Sequence, residues 1–126
     1  MILFKSEPPE LLPIVAFASR DAAAAELAAG SGEAHAHIVH IAAGGEIGPH
    51  VTGFGQLFVV LDGSGWVAGD DGERVSISAG EVAYFARGEG HSKGSATGLR
   101  ALMIQVYDLH LSALTASQSL QLNAGR

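Results

Sequence analysis

The 126-residue chain contains no cysteine. That absence excludes disulfides, a thiolate nucleophile, zinc fingers and iron–sulfur sites. A domain of this length can bury a core without such staples. Small secreted domains commonly carry disulfides, so a cytoplasmic location is expected. Basic charge is also scarce. Seven Lys and Arg, scattered singly, face thirteen Asp and Glu, for a net charge of −6. No basic stripe exists to track phosphates, so nucleic acid and anionic membrane surfaces are discounted as partners. Long apolar runs are missing too. Leu11 to Phe17 is short and interrupted by Pro13, far below the roughly 20 residues needed to span a bilayer. Met1 to Glu10 lacks the basic-then-apolar order of a signal peptide. Charged residues make up only 16% of the chain. So little charge favours a homodimer, with some apolar surface meeting a second copy, over a tightly packed monomer with a neutral Ser, Gly and Ala surface.

Glycine, in contrast, is abundant. Seventeen glycines punctuate the chain, fourteen of them from Gly44 to Gly98, lying singly or in pairs. Turn signals this dense leave room only for short elements, the pattern of an all-β barrel or sandwich. Residues 1–18 read as an arm broken at Pro8-Pro9. Residues 19–30 are alanine-rich but lack an amphipathic stripe, and extended structure with turns is favoured over helix. Strands are predicted at His35–Ala42, in two pieces within Gln56–Gly69, and at Val75–Ser78, Val82–Phe85 and Leu99–Leu109. The tail 110–126 carries no recognisable chemistry. No repeat or boundary divides the chain, so one domain over 1–126 is expected.

The informative stretch is GGEIGPHVTGFGQLFVVLDG, residues 44–63, followed by GEVAYFARGEGHSKGS, residues 80–95. Their glycine spacing and two histidines resemble the cupin family. Its motifs, G-x5-H-x-H-x3–4-E-x6-G and G-x5-P-x-G-x2-H-x3-N, fall on Gly44, His50, Thr52, Gln56 and Gly63, then on Gly80, Ala86, Gly88, His91 and Ser95. The resemblance covers residues 35–107. It implies a cupin β-barrel, a double-stranded β-helix of the jelly-roll type. It also implies a divalent transition metal (Zn, Ni, Fe, Mn or Cu) held inside the barrel, and no nucleotide cofactor. Of the family's four ligands, His50 and His91 remain, while the second histidine is Thr52 and the glutamate is Gln56. The implied metal ligands are therefore His50, Gln56 and His91. An amide in place of the carboxylate removes a strong Coulomb attraction, so weakened metal binding is expected. The alternative is a metal-free pocket in which the Gln56 amide pairs with His91.

Strand parity places His50, Thr52 and Gln56 with Phe58 and Val60 on one face. Thr52, Phe58, His37 and Tyr84 are accordingly candidates for the ligand pocket. Only one of Tyr84 and Phe85 can face inward. His35 and His37 share a face; His37 could line the same cavity as His50, or the pair could form the polar edge of an exposed strand. Arg87, Glu89 and Lys93 read as solvated loop charges around His91. The partner is expected to be a small organic molecule. Three functions stay open: a metal-dependent oxygenase or isomerase, a non-catalytic ligand-binding module, and a vestigial barrel.

Overall fold

The computed structural model describes residues 1–6 and 11–112. Ten strands account for nearly all regular structure: β1 (Ile2–Lys5), β2 (Leu12–Pro13), β3 (Ala23–Ala24), β4 (Ala28–Ile41), β5 (Glu46–Val51), β6 (Gly55–Ala68), β7 (Arg74–Ser78), β8 (Glu81–Phe85), β9 (Gly90–Gly94) and β10 (Leu99–Leu111). A single 3-10 turn spans Ala16–Ala18. No helix among the described residues is long and apolar enough to cross a membrane. The all-β double-stranded β-helix implied by the resemblance is the fold observed.

Eight of these strands form two antiparallel sheets that share one strand, and β2 pairs with β3 separately. The first runs β1-β8-β6-β10-β4. The second runs β7-β6-β9-β5. β6 joins them: Gln56–Val59 pairs with β8, and Ser64–Ala68 pairs with β7. The sequence suggested two pieces here, broken at Asp62-Gly63. Instead the chain stays paired through one continuous strand. Gly63 absorbs the bend in the left-handed region at φ 80°, and a Cβ there would lie 2.2 Å from the Gly98 carbonyl oxygen.

The core lies between the sheets, where Phe58, Val60, Ala83, Phe85 and Ala101 of the first pack on Val67 and Ile77 of the second. A second cluster, Phe4, Leu57, Val82 and Leu109, covers the opposite face of the first sheet. β6 is therefore apolar on both faces, which explains its unbroken hydrophobic run Leu57–Leu61. The helical alternative for residues 19–30 does not form: this stretch contributes β3 and the start of β4. The tail expectation lies mostly outside the described residues, and His110 and Leu111 complete β10.

Candidate functional site

Both motif histidines sit on paired strands rather than in turns. β5 and β9 bring His50 and His91 into direct register. Pro49 cannot donate to the ladder, and it falls within the register shift between Ile47 and His50, where a missing N–H costs least. The His50 ring lies 4.6 Å, centroid to centroid, from that of His91, and the two Nε2 atoms are 3.2 Å apart. His50 is exposed, whereas His91 is buried at 2% exposure.

With both rings neutral, the hydrogen bonds select their tautomers. His50 Nδ1 donates to the Gly48 carbonyl at 2.8 Å, because a carbonyl can only accept. Its Nε2 is then a lone pair, so His91 Nε2–H is the donor between the rings. That leaves His91 Nδ1 as an acceptor. It is buried and has no hydrogen-bond partner, and the same holds for Gln56 Oε1. Burial, then the Lys93 ammonium and His50, push the His91 imidazole down from 6.5 to about 3.

Lys93 is the residue the sequence reading misplaced. It is not a solvated loop charge but is buried at 1% exposure. On β9, alternation puts it two residues from His91 on the same face. Its register neighbours are Ile47 on β5 and Val67 on β6, so an ammonium stands in a row of aliphatics. The Lys93 Nζ lies 4.7 Å from the Phe85 ring centroid and 5.2 Å from that of Phe58, a cation–π arrangement. Among the described residues it forms no ion pair with a carboxylate. Burial pushes its amine down from 10.5 to about 8. The signal was present in the sequence: His-Ser-Lys has strand alternation, hidden because 90–94 read as a loop.

Phe85 is the hub of the interior. The His91 ring packs edge-on against it at 4.6 Å. Gln56, at 1% exposure, is its register partner on β6. His91, Lys93 and Gln56 thus gather around one aromatic ring, with fully buried Phe58 beside them. Of the inward candidates Tyr84 and Phe85, it is Phe85 that faces in. Tyr84 is corrected to the other face of the sheet: it packs with Leu57 and Val82, and its hydroxyl donates to the Leu109 carbonyl at 3.1 Å. Thr52 shapes the loop after β5. Its Oγ1 accepts from Phe54 N–H at 3.3 Å, and its carbonyl accepts from Gly88 N–H at 3.1 Å.

His37 belongs to the inner face by register, in the row Phe58–Met103–His37, but at the exposed edge of the sheet. The next row is Gln56–Gln105–His35. His35 stacks with His37 at 6.3 Å and meets Phe54 edge-on at 5.5 Å. The structure therefore separates His35 and His37 from the histidine pair, each forming part of a rim. His40 turns to the other side, lining a shallow hollow with the Asp62–Arg100 ion pair. At the position of the motif's final asparagine, Ser95 is a strut. Its hydroxyl donates to the Ser64 carbonyl at 2.6 Å and accepts from Gly98 N–H at 2.7 Å.

A resident metal can be tested against this donor set. Two nitrogens each about 2.05 Å from one ion and 3.2 Å apart subtend about 100°, close to a tetrahedral angle. The histidine pair would fill two corners. Beyond them the implied set brings no charge: the Gln56 amide oxygen is unpartnered but neutral. Among the described residues no group of three His, Asp or Glu is placed to hold an ion. Asp70, which shares a hollow of about 300 Å³ with His50 and His91, is committed through Oδ1 to Gly90 N–H at 2.6 Å. The Lys93 ammonium adds like charge to the same interior, where it is poorly screened. Two imidazoles and a neutral amide beside a buried ammonium are a poor fit for a tightly held resident divalent metal.

This fold and this histidine-lined interior define a small double-stranded β-helix barrel protein. The chain belongs to the cupin family: the Cupin domain family matches residues 29–107. Among solved structures, an RmlC-like cupin from Shewanella frigidimarina is similar, with a TM-score of 0.55 at 22% identity over 58% of this chain and 65% of that one. So is a predicted oxalate decarboxylase from Thermotoga maritima, with a TM-score of 0.52 at 27% identity, covering 56% and 64% of the two chains. A double-stranded β-helix protein from Klebsiella pneumoniae gives a TM-score of 0.56 at 19% identity over 67% and 78%. The chain covers 66% and 64% of the first two structures it matches. No curated protein matches the sequence.

Proposed function

We propose that this cupin binds a small organic ligand in the barrel, held by hydrogen bonds from the interior polar groups rather than through a resident divalent metal. One observation carries the reading: His91 Nδ1 and Gln56 Oε1 are both buried acceptors without a donor. A buried polar atom left unpaired costs roughly 1–3 kcal/mol, so two in one interior favour a ligand that brings donors. The likeness to a predicted oxalate decarboxylase, at 27% identity, supports a small polar ligand and does not extend to its reaction. Among the described residues no carboxylate is buried in the interior to act as a base, and binding is the function inferred.

The test is a thermal-shift screen of small organic ligands against wild type and His91→Phe, beside metal analysis of both by plasma mass spectrometry. The expected result is at least one ligand that raises the wild-type melting temperature and leaves the variant unmoved. Stoichiometric transition metal that survives purification in wild type and disappears with His91 would overturn the reading. We also infer a homodimer, supported by the low charge and by exposed apolar residues such as Val15, Phe17 and Ile38. Light scattering would then read twice the 12.9 kDa of one chain, and a single-chain mass would refute it.

A further inference from the structure

The Lys93 ammonium is the most unusual group in the molecule. A buried charge is normally paired with an opposite charge, yet no described carboxylate faces it, and its neighbours are the Phe58 and Phe85 rings and the aliphatic row Ile47–Val67. The cation–π contacts offset part of the desolvation but supply no hydrogen-bond acceptor. Around the same Phe85 ring stand two acceptors with the opposite deficit, His91 Nδ1 and Gln56 Oε1. The interior thus lacks one anionic acceptor and one or two donors.

Across the first sheet the inner face passes from buried Gln56 and Phe58, through half-buried Gln105 and Met103, to exposed His35 and His37. Exposure of the inner face thus rises from β6 through β10 to the edge strand β4.

We propose that Lys93 receives the carboxylate of the ligand, so that the barrel takes a small hydroxy acid whose hydroxyl donates to His91 Nδ1 or Gln56 Oε1. This rests on the ligand-binding reading above and names its chemical class. A hydroxy acid satisfies all three groups at once. An amino acid would place a second ammonium beside Lys93, and a hydrocarbon acid would leave both acceptors unpaired.

Isothermal titration at pH 7 with lactate and with lactamide separates charge from shape, since lactamide keeps the hydroxyl and loses the anion. Wild type should bind lactate at least about 10-fold more tightly than lactamide, the difference expected of a desolvated charge-assisted contact. Lys93→Met should weaken lactate by about 10-fold or more and leave lactamide within about 2-fold. That variant is expected to keep the fold, since it removes a buried unpaired charge. Equal affinity of wild type for the two probes, or undiminished lactate binding by Lys93→Met, overturns the carboxylate assignment. If His91→Phe abolishes both probes in that case, the ligand-binding reading stands without it. Failure of lactate to saturate wild type up to about 100 mM overturns the hydroxy-acid class, and the screen above then decides the broader reading by itself.

Discussion

Replacing Lys93 with methionine should make the protein more stable, and by an amount the structure sets. The ammonium is buried among aromatic and aliphatic side chains without a carboxylate. Its amine is pushed down from 10.5 to about 8. At pH 7 almost the whole of that difference is a cost of folding, because the unfolded chain holds the proton far more readily. The cost is about 3 kcal/mol. Methionine has a similar length and volume, so the packing against Phe58 and Phe85 survives. For a chain of this size the gain corresponds to a rise of about 10 °C in melting temperature.

The sign has a second consequence. The folded state loses its proton first, so wild-type stability rises as the pH climbs from about 8 to 10.5. The advantage of Lys93→Met should therefore shrink across that window and vanish above it. Calorimetric melts of both proteins at pH 7, 9 and above about 10.5 measure this directly. If the variant melts at or below wild type at pH 7, or if the gap does not change with pH, then Lys93 is not an uncompensated buried charge and the reasoning is wrong. A residue that costs this much stability is one that function can retain.

Three further outcomes are expected. His91, pushed down from 6.5 to about 3, is bound neutral in the folded state, so stability should fall as the pH drops from 6.5 towards 3; His91→Phe should flatten that limb in denaturant melts, and an unchanged limb would refute the assignment. Ser95→Ala should cost about 2 kcal/mol by removing the strut between Ser64 and Gly98, read from the urea midpoint, with a loss within error arguing against the strut. Gly94→Ala should cost about 1–3 kcal/mol, because its Cβ would lie 2.5 Å from the Trp66 ring; a variant as stable as wild type would mean that β9 can move away from β6 without loss.

The legible part of the site was the part that repeats strand alternation or motif spacing. Gln56 and Phe58 share parity within an apolar run, and both face the interior as that parity requires. His50 and His91 stand at motif spacing and meet across β5 and β9. What escaped was the secondary structure of the short motif segments. Residues 46–51 and 90–94 carry Pro49, His50, Lys93 and glycines, which individually disfavour strands. They form β5 and β9 because each edge is paired by a neighbour distant in sequence, Glu46 with Gly94 and Trp66 with Gly94. Reading 90–94 as a loop put Lys93 in solvent, and with it went the main physical argument about the ligand.

Residue identity and spacing establish an all-β chain without disulfides, the place of residues 44–95 in a motif with two histidines, and the loss of the carboxylate that a metal would need. Identity and spacing are local properties. Only the tertiary structure decided that Tyr84 faces away while Phe85 faces in, that His37 stands at an open rim, and that Lys93 enters the barrel beside His91. These depend on which strand lies next to which, and register is set by pairings between distant segments. A one-residue shift in β9 would have left Lys93 in water and the interior without its charge.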